Sequence, residues 1–384
     1  MSRAWAACLL AAILVVSAGC GREDKKEQAE GPAKAWTDIV IGVAGAHSGD
    51  LASYGLPSLN AVKLVVAERN ARGGVNGRRI ELKAQDDQCK PELATNAATR
   101  LLSDNVAAVI GHICSGATKA ALPIYKDARI VCISSSATTP GLTQGGEYPL
   151  FFRTIASDDA QARLAVDFVL DVLKLKRPAV LHDKGEYGRG FAEYARSFLE
   201  GSGRARVALY EGVTPGAVDY SAVVQKVRAA DADGVVFGGY HPEASRIVTQ
   251  MRKLGLAIPF VSDDGVKDDT FIKVAGAYAE GVYATGPRDL SANPRYRAVV
   301  EAHKREFGSE PGAFFPQAYA AAEALLSAIE KAGGTDPAKV AAALRANQFD
   351  TPLGRIGFDA KGDAIGVGFS VYRVEGGAYV ELKR

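Results

Sequence analysis

Long hydrophobic runs are confined to the first twenty residues of this 384-residue chain. No later segment is apolar enough to cross a bilayer. Histidine and cysteine are sparse, five of each. His47, His112, His182, His241 and His303 are scattered and lack the two-ligand spacing of a metal site, so none is expected. No run of Lys and Arg is present, and the net charge is only +2. A broad basic surface for nucleic acid is therefore excluded. The glycine frame of a nucleophile elbow, G-x-S-x-G, is missing. GEYGRG, at 185–190, does not set its glycines in the G-x-G-x-x-G order of a dinucleotide loop. Neither an enzyme nor a bound cofactor is expected. No short-period repeat divides the chain, and no helix-turn-helix precedes its first α/β unit.

The N-terminus differs from the rest. Arg3 is followed by an apolar run from Ala4 to Val16 and then by small residues ending at Cys20. The run is too short and wrongly flanked for a spanning helix and reads as an export signal. Small residues leading into a cysteine suit a bacterial lipoprotein signal, in which Cys20 is lipidated and becomes the first mature residue. Ser17 stands where such signals usually carry leucine, and ordinary cleavage after Val16-Ser17-Ala18 is the alternative. The charged, apolar-poor stretch that follows suits a solvated tether. Residues 1–20 are thus assigned to the signal and 21–37 to the tether.

From Asp38 onward, strands alternate with helices. DIVIGVAGA, RRIELKAQDD, VAAVIGH and IVCISSSA read as strands. PSLNAVKLVVAERNARGG, PELATNAATRLLSDN and SGATKAALPIYKDA read as helices between them. The alternation restarts after FFRTIASDD and continues through PAVLHDK, RVALYEG, GVVFGGY and PFVSDDG. Such order implies parallel sheets covered on both faces, in two doubly wound α/β lobes. Beyond EGVYATGP come three helices without parallel strands, then a glycine-rich β tail. In open α/β sheets, ligands bind beyond the carboxyl ends of the strands. Those ends are 112–115, 134–138, 182–187, 238–241 and 262–265, rich in Ser, Thr, Tyr and Asp.

Exported chains pair their cysteines. Cys89 and Cys114 each follow a strand, and neighbouring parallel strands would bring them together. Cys132, inside the apolar run IVCIS, reads as buried core. A pairing that uses Cys132 remains the other possibility.

SGDLASYG, DDQCKP, VIGHICSGAT, ISSSATTPGL, HDKGEYGRG, GGYHPE and SDDGV follow one another between Ser48 and Val266. In that order and spacing the chain resembles the periplasmic leucine/isoleucine/valine-binding proteins, the substrate receptors of branched-chain amino acid ABC transporters, over about Asp38 to Val380. The resemblance implies a type I periplasmic binding protein fold, two lobes joined by a three-strand hinge with crossovers near Ala156, Gly286 and Gly368. Lobe 1 would hold 38–156 plus 287–368, and lobe 2 would hold 157–286 plus 369–384. It also implies a Cys89–Cys114 disulfide, an amino acid ligand, a membrane permease as partner and a monomeric chain in the periplasm or cell envelope.

An α-amino acid brings a carboxylate and an ammonium into a dry site, and both need partners. By the resemblance, Ser115 and Thr138 bind the carboxylate, and Tyr187 joins them from the second lobe. Ser115 also opens a helix, where free N–H groups favour an anion. The ammonium falls to the backbone carbonyl of Ser136, in the stretch with Ala137, to the Thr138 hydroxyl and to Asp264. The family carries alanine and glutamate where this chain has Ser136 and Asp264. The shorter aspartate either retracts its oxygens or demands tighter lobe closure. Asp263 is the other candidate carboxylate. Tyr54, Tyr240 and Phe314 would line an apolar wall, and the Ser136 hydroxyl would face the amino end. A receptor or sensor of the same fold for an amide, a urea, an aromatic acid or another amino acid is the competing reading. Partners for both halves of a zwitterion favour the amino acid.

Overall fold

A computed structural model of the protein describes residues 37–382. The export signal with Cys20 and the tether up to Trp36 lie outside the described residues.

The first half lays down β1 (Ile39–Gly45), α1 (Ala52–Ala71), β2 (Ile80–Asp86), α2 (Pro91–Ser103), β3 (Ala108–Ile110), α3 (Ser115–Asp127), β4 (Val131–Ser134) and β5 (Phe151–Arg153). The strands pair in parallel in the order β2-β1-β3-β4-β5. Runs such as VCIS are apolar on both faces because helices cover both. One face packs with α1 and with helices from much later in the chain, and the other with α2 and α3.

The chain then leaves this sheet. Next come α4 (Asp158–Asp171), β6 (Ala179–His182), α5 (Glu186–Gly201), β7 (Leu209–Gly212), α6 (Ser221–Ala229), β8 (Val235–Gly238), α7 (His241–Lys253), β9 (Phe260–Ser262), α8 (Asp269–Ala275) and β10 (Tyr283–Pro287). Its parallel strands run in the order β10-β9-β8-β6-β7. Numbered from each lobe's own first strand, both sheets have the order 2-1-3-4-5, with a switch point beside that first strand.

After β10 the chain returns to the first lobe with α9 (Pro294–Phe307), α10 (Phe315–Lys331) and α11 (Pro337–Ala346). A small antiparallel sheet follows, made of β11 (Phe349–Thr351), β12 (Gly354–Phe358) and β13 (Ala364–Ile365). The chain crosses once more to add β14 (Phe369–Glu375) and β15 (Ala378–Glu381) as antiparallel strands outside β10.

Two sequence expectations need correction. The strands ending before Cys89 and Cys114 are not neighbours, because β1 lies between β2 and β3. The cysteines meet because the loops after those strands reach over the end of β1. The pair is bonded with a Cα–Cα distance of 5.4 Å, and Cys132 is a buried free thiol. Helix α1 begins at Ala52, five residues before Pro57. Proline removes only the N–H that would bond Ser53, near the open end of the helix, while the fully buried Tyr54 pins the first turn.

Candidate ligand-binding site

Each lobe presents a Tyr-Gly pair in the first turns of a helix. A Cβ on Gly55 would lie 1.9 Å from the Ala46 carbonyl oxygen, and one on Gly188 would lie 2.4 Å from that of Gly238. Only glycine lets α1 and α5 sit against these strand ends. Tyr54 and Tyr187 are thereby set into the space between the lobes. The Tyr54 hydroxyl donates to the Gly265 carbonyl across that space at 2.5 Å. Tyr240 lies between them with its ring tilted to both, its centroid 6.0 Å from Tyr54 and 5.3 Å from Tyr187. Phe314 stands 5.7 Å from Tyr54 on the other side. Its φ of 60° places a bulky residue in the left-handed region just before α10, a strained backbone that aims the ring into the site.

Tyr54, Ile113, Cys114, Ser115, Ser136, Tyr187, Tyr240, Asp264, Gly265 and Phe314 line one small space. Its volume of about 10 Å³ is barely enough for a single water. An amino acid needs the lobes to part before it enters. A larger interlobe cleft of about 960 Å³ adjoins it, and Asp264 and Phe314 line both.

The lobe 1 wall is tied together by hydroxyls. Ser134 Oγ donates to the His112 carbonyl at 2.6 Å and accepts from Ala137 N at 3.0 Å. Ser136 Oγ donates to the Ile113 carbonyl at 2.8 Å. The Ser136 hydroxyl therefore joins the two loops and is not held free for a ligand. Ser115 is buried at the first turn of α3, whose leading N–H groups point past the helix end. Ala137 and Thr138 lie behind this surface, and their carbonyls accept from Arg153 at 3.3 and 2.7 Å.

The second lobe supplies the acid. Asp264 is buried, and its Oδ1 accepts from the Tyr187 hydroxyl. Burial pushes its carboxyl up to about 6, with the Tyr187 hydroxyl and the Gln161 amide opposing the rise. Asp263 faces away from the small space. Its Oδ2 accepts from Gly239 N at 2.8 Å and fixes the end of β8. Of the two acids, Asp264 is the one that lines the space.

Three buried polar residues behind the site escaped the sequence reading. Arg153 ends β5 and is fully buried, Asp158 opens α4, and Gln161 follows one turn later. The signal was available in FFRTIASDDAQ, where a cation interrupts an apolar strand and an acid starts the next helix. His112 is also explained. Its Nδ1 meets Asp87 Oδ2 at 2.5 Å and its Nε2 meets the Tyr125 hydroxyl at 2.9 Å, so both ring nitrogens serve the fold behind the disulfide loop.

Comparison with known proteins extends this geometry. The family model described as "Periplasmic binding protein" matches residues 38–378. A Pseudomonas aeruginosa protein named leucine-, isoleucine-, valine-, threonine- and alanine-binding protein is 40% identical over 334 residues, 87% of this chain and 89% of that one. The crystal structure of a Thermotoga maritima leucine-binding protein superposes with a TM-score of 0.84 at 27% identity, covering 90% of this chain and 98% of that one. A Streptococcus pneumoniae branched-chain amino acid transporter substrate-binding protein, solved in complex with isoleucine, gives a TM-score of 0.79 at 28% identity, with 90% and 100% coverage.

Proposed function

We propose, for a chain that belongs to the periplasmic binding protein family, that it is an extracytoplasmic receptor for an aliphatic L-amino acid of the leucine, isoleucine and valine class. It holds that ligand between its lobes and hands it to the permease of an ABC transporter. One observation carries the reading. A helix N-terminus with Ser115 faces a buried carboxylate, Asp264, across a small space walled by Tyr54, Tyr240 and Phe314. Such an arrangement partners both ends of a zwitterion and removes an apolar side chain from water at roughly 25 cal/mol per Å². The names of the relatives support the ligand class.

In detail, the carboxylate takes the first N–H groups of α3 and the hydroxyls of Ser115 and Thr138. The ammonium takes Asp264 and the Ser136 carbonyl, and Tyr187 closes over both. Three chain crossings act as the hinge, at 154–157, 288–293 and 366–368. The receptor works as a monomer in the periplasm, tethered by lipid on Cys20. Mass spectrometry of the mature N-terminus tests the anchor, since an unmodified Cys20 removes it.

Titration calorimetry across the amino acids tests the function. Tight binding of leucine, isoleucine or valine is the expected result. Heat only with an amide or aromatic acid overturns the ligand class. Asp264→Ala is expected to weaken aliphatic amino acid binding by about 2–3 kcal/mol, while Asp263→Ala acts mainly on stability.

A further inference from the structure

Beside the aromatic wall the lobes meet through two neighbouring residues on each side. Lobe 1 contributes Ser53 and Tyr54 from the first turn of α1, and lobe 2 contributes Tyr240 and His241 at the start of α7. Tyr54 and Tyr240 line the small space. His241 packs against the same wall, its ring centroid 5.4 Å from that of Tyr54. Its Nε2 meets Ser53 Oγ at 3.3 Å, a hydrogen bond from one lobe to the other. Ser53 also lines the larger interlobe cleft. The contact therefore stands where the two spaces adjoin.

The surroundings of His241 resist a positive charge. The residue is only 3% exposed. It is the first residue of α7, with Pro242 after it. A helix start carries free N–H groups and the positive end of the dipole, both unfavourable to an imidazolium. Burial holds His241 below the ordinary histidine range, while Asp268, Asp50 and the Asp50 backbone oppose that fall. Asp268 faces the ring from the start of α8, where its Oδ1 accepts from Thr270 N at 2.7 Å. Asp50 is exposed in the loop before α1. Burial pushes Tyr54 and Tyr240 well above the ordinary tyrosine range, so both stay neutral. Glu243, on the same turn as His241, accepts from Gly216 N at 2.9 Å in another loop.

We propose that His241 is a positioning residue for lobe closure: its imidazole bonds Ser53 only when the lobes are shut, so ligand capture buries a titratable ring and acid favours release. The inference rests on the amino acid receptor reading. A ligand reaches the small space only when the lobes part. Parting separates α1 from α7, breaks the Ser53 contact and returns the ring to water. In the open form the ring takes its proton near the ordinary histidine value, about 6.5. In the closed form it stays neutral to lower pH. Above that value closure displaces no proton from His241. Below it closure expels one. Affinity therefore falls as pH drops below about 6.5, by up to about tenfold per unit, and levels off once the closed form is also protonated.

Calorimetric titration with leucine tests both halves. At pH 8, Ser53→Ala and His241→Ala are each expected to weaken binding by about threefold to tenfold, and the double variant to be no weaker than the weaker single. Losses that simply multiply overturn the pairing. His241→Gln keeps a polar side chain that carries no charge at any pH, and it supplies the second measurement. Between pH 8 and 5.5 the ratio of wild-type to His241→Gln affinity is expected to fall by about threefold or more. The buried acids titrate in both proteins, so their share cancels in that ratio. Parallel pH curves overturn the role of the ring in release. Each of these results leaves the receptor reading standing. The absence of binding by every amino acid overturns that reading and this inference with it.

Discussion

At the scale of single residues, the site depends on side chains that do not line it. Arg153 gathers three successive carbonyls, a threonine hydroxyl and Asp363 around one guanidinium. A lysine has neither the planar fork nor enough donors to repeat this. Arg153→Lys is expected to cost about 3 kcal/mol of stability in urea denaturation and to weaken amino acid binding in the same preparation, because Thr138 loses its anchor. The sequence made many of the residues that line the small space visible, since Ser, Tyr and Asp at strand ends stand out against apolar strands. It hid Asp158 and Gln161, because an acid near a helix start reads as ordinary capping chemistry. Only the fold reveals that this helix start is buried between two lobes. The Ser136 hydroxyl shows the reverse case. Its position in the chain pointed at the ligand, but its bond to the Ile113 carbonyl turns it to structure.

At the scale of elements, apolar runs and glycine stops gave the strand and helix alternation directly, including the three late helices, whose return to lobe 1 was implied only by the family resemblance. Register and neighbour order were less accessible, because a strand pattern does not say which strand lies beside it. The disulfide illustrates this, since Cys89 and Cys114 meet across an intervening strand. The bond closes a loop between residues 25 apart and tethers the start of α3 to the loop before α2. Cys89→Ser with Cys114→Ser is expected to lower unfolding stability by about 3 kcal/mol, read by chemical denaturation against the oxidised wild type. The same pair of substitutions should weaken amino acid binding, because Cys114 precedes Ser115 and lines the site.

At the scale of the molecule, few polar bonds join the lobes around the site. Tyr54 reaches Gly265, and Lys119 on α3 pairs with Glu186 on α5 at 2.8 Å. The ion pair is partly exposed and contributes at most about 1 kcal/mol. Its reversal, Lys119→Glu, is expected to weaken binding several-fold at low salt and much less at high salt, checked by titration at two ionic strengths. The chain's repeated crossing between the lobes also dictates when either can form. The core of lobe 1 includes α10, α11 and β12, so it needs residues up to Phe358. Strand β10 of lobe 2 finds its antiparallel partner only in β14, at Phe369–Glu375. A nascent or translocating chain therefore holds one sheet uncovered on one face and a second sheet unfinished until almost its whole length is available. Lobe 1 can be completed first, from the chain's early strands and late helices. Lobe 2 closes last, around a strand that emerges some two hundred residues after its first one.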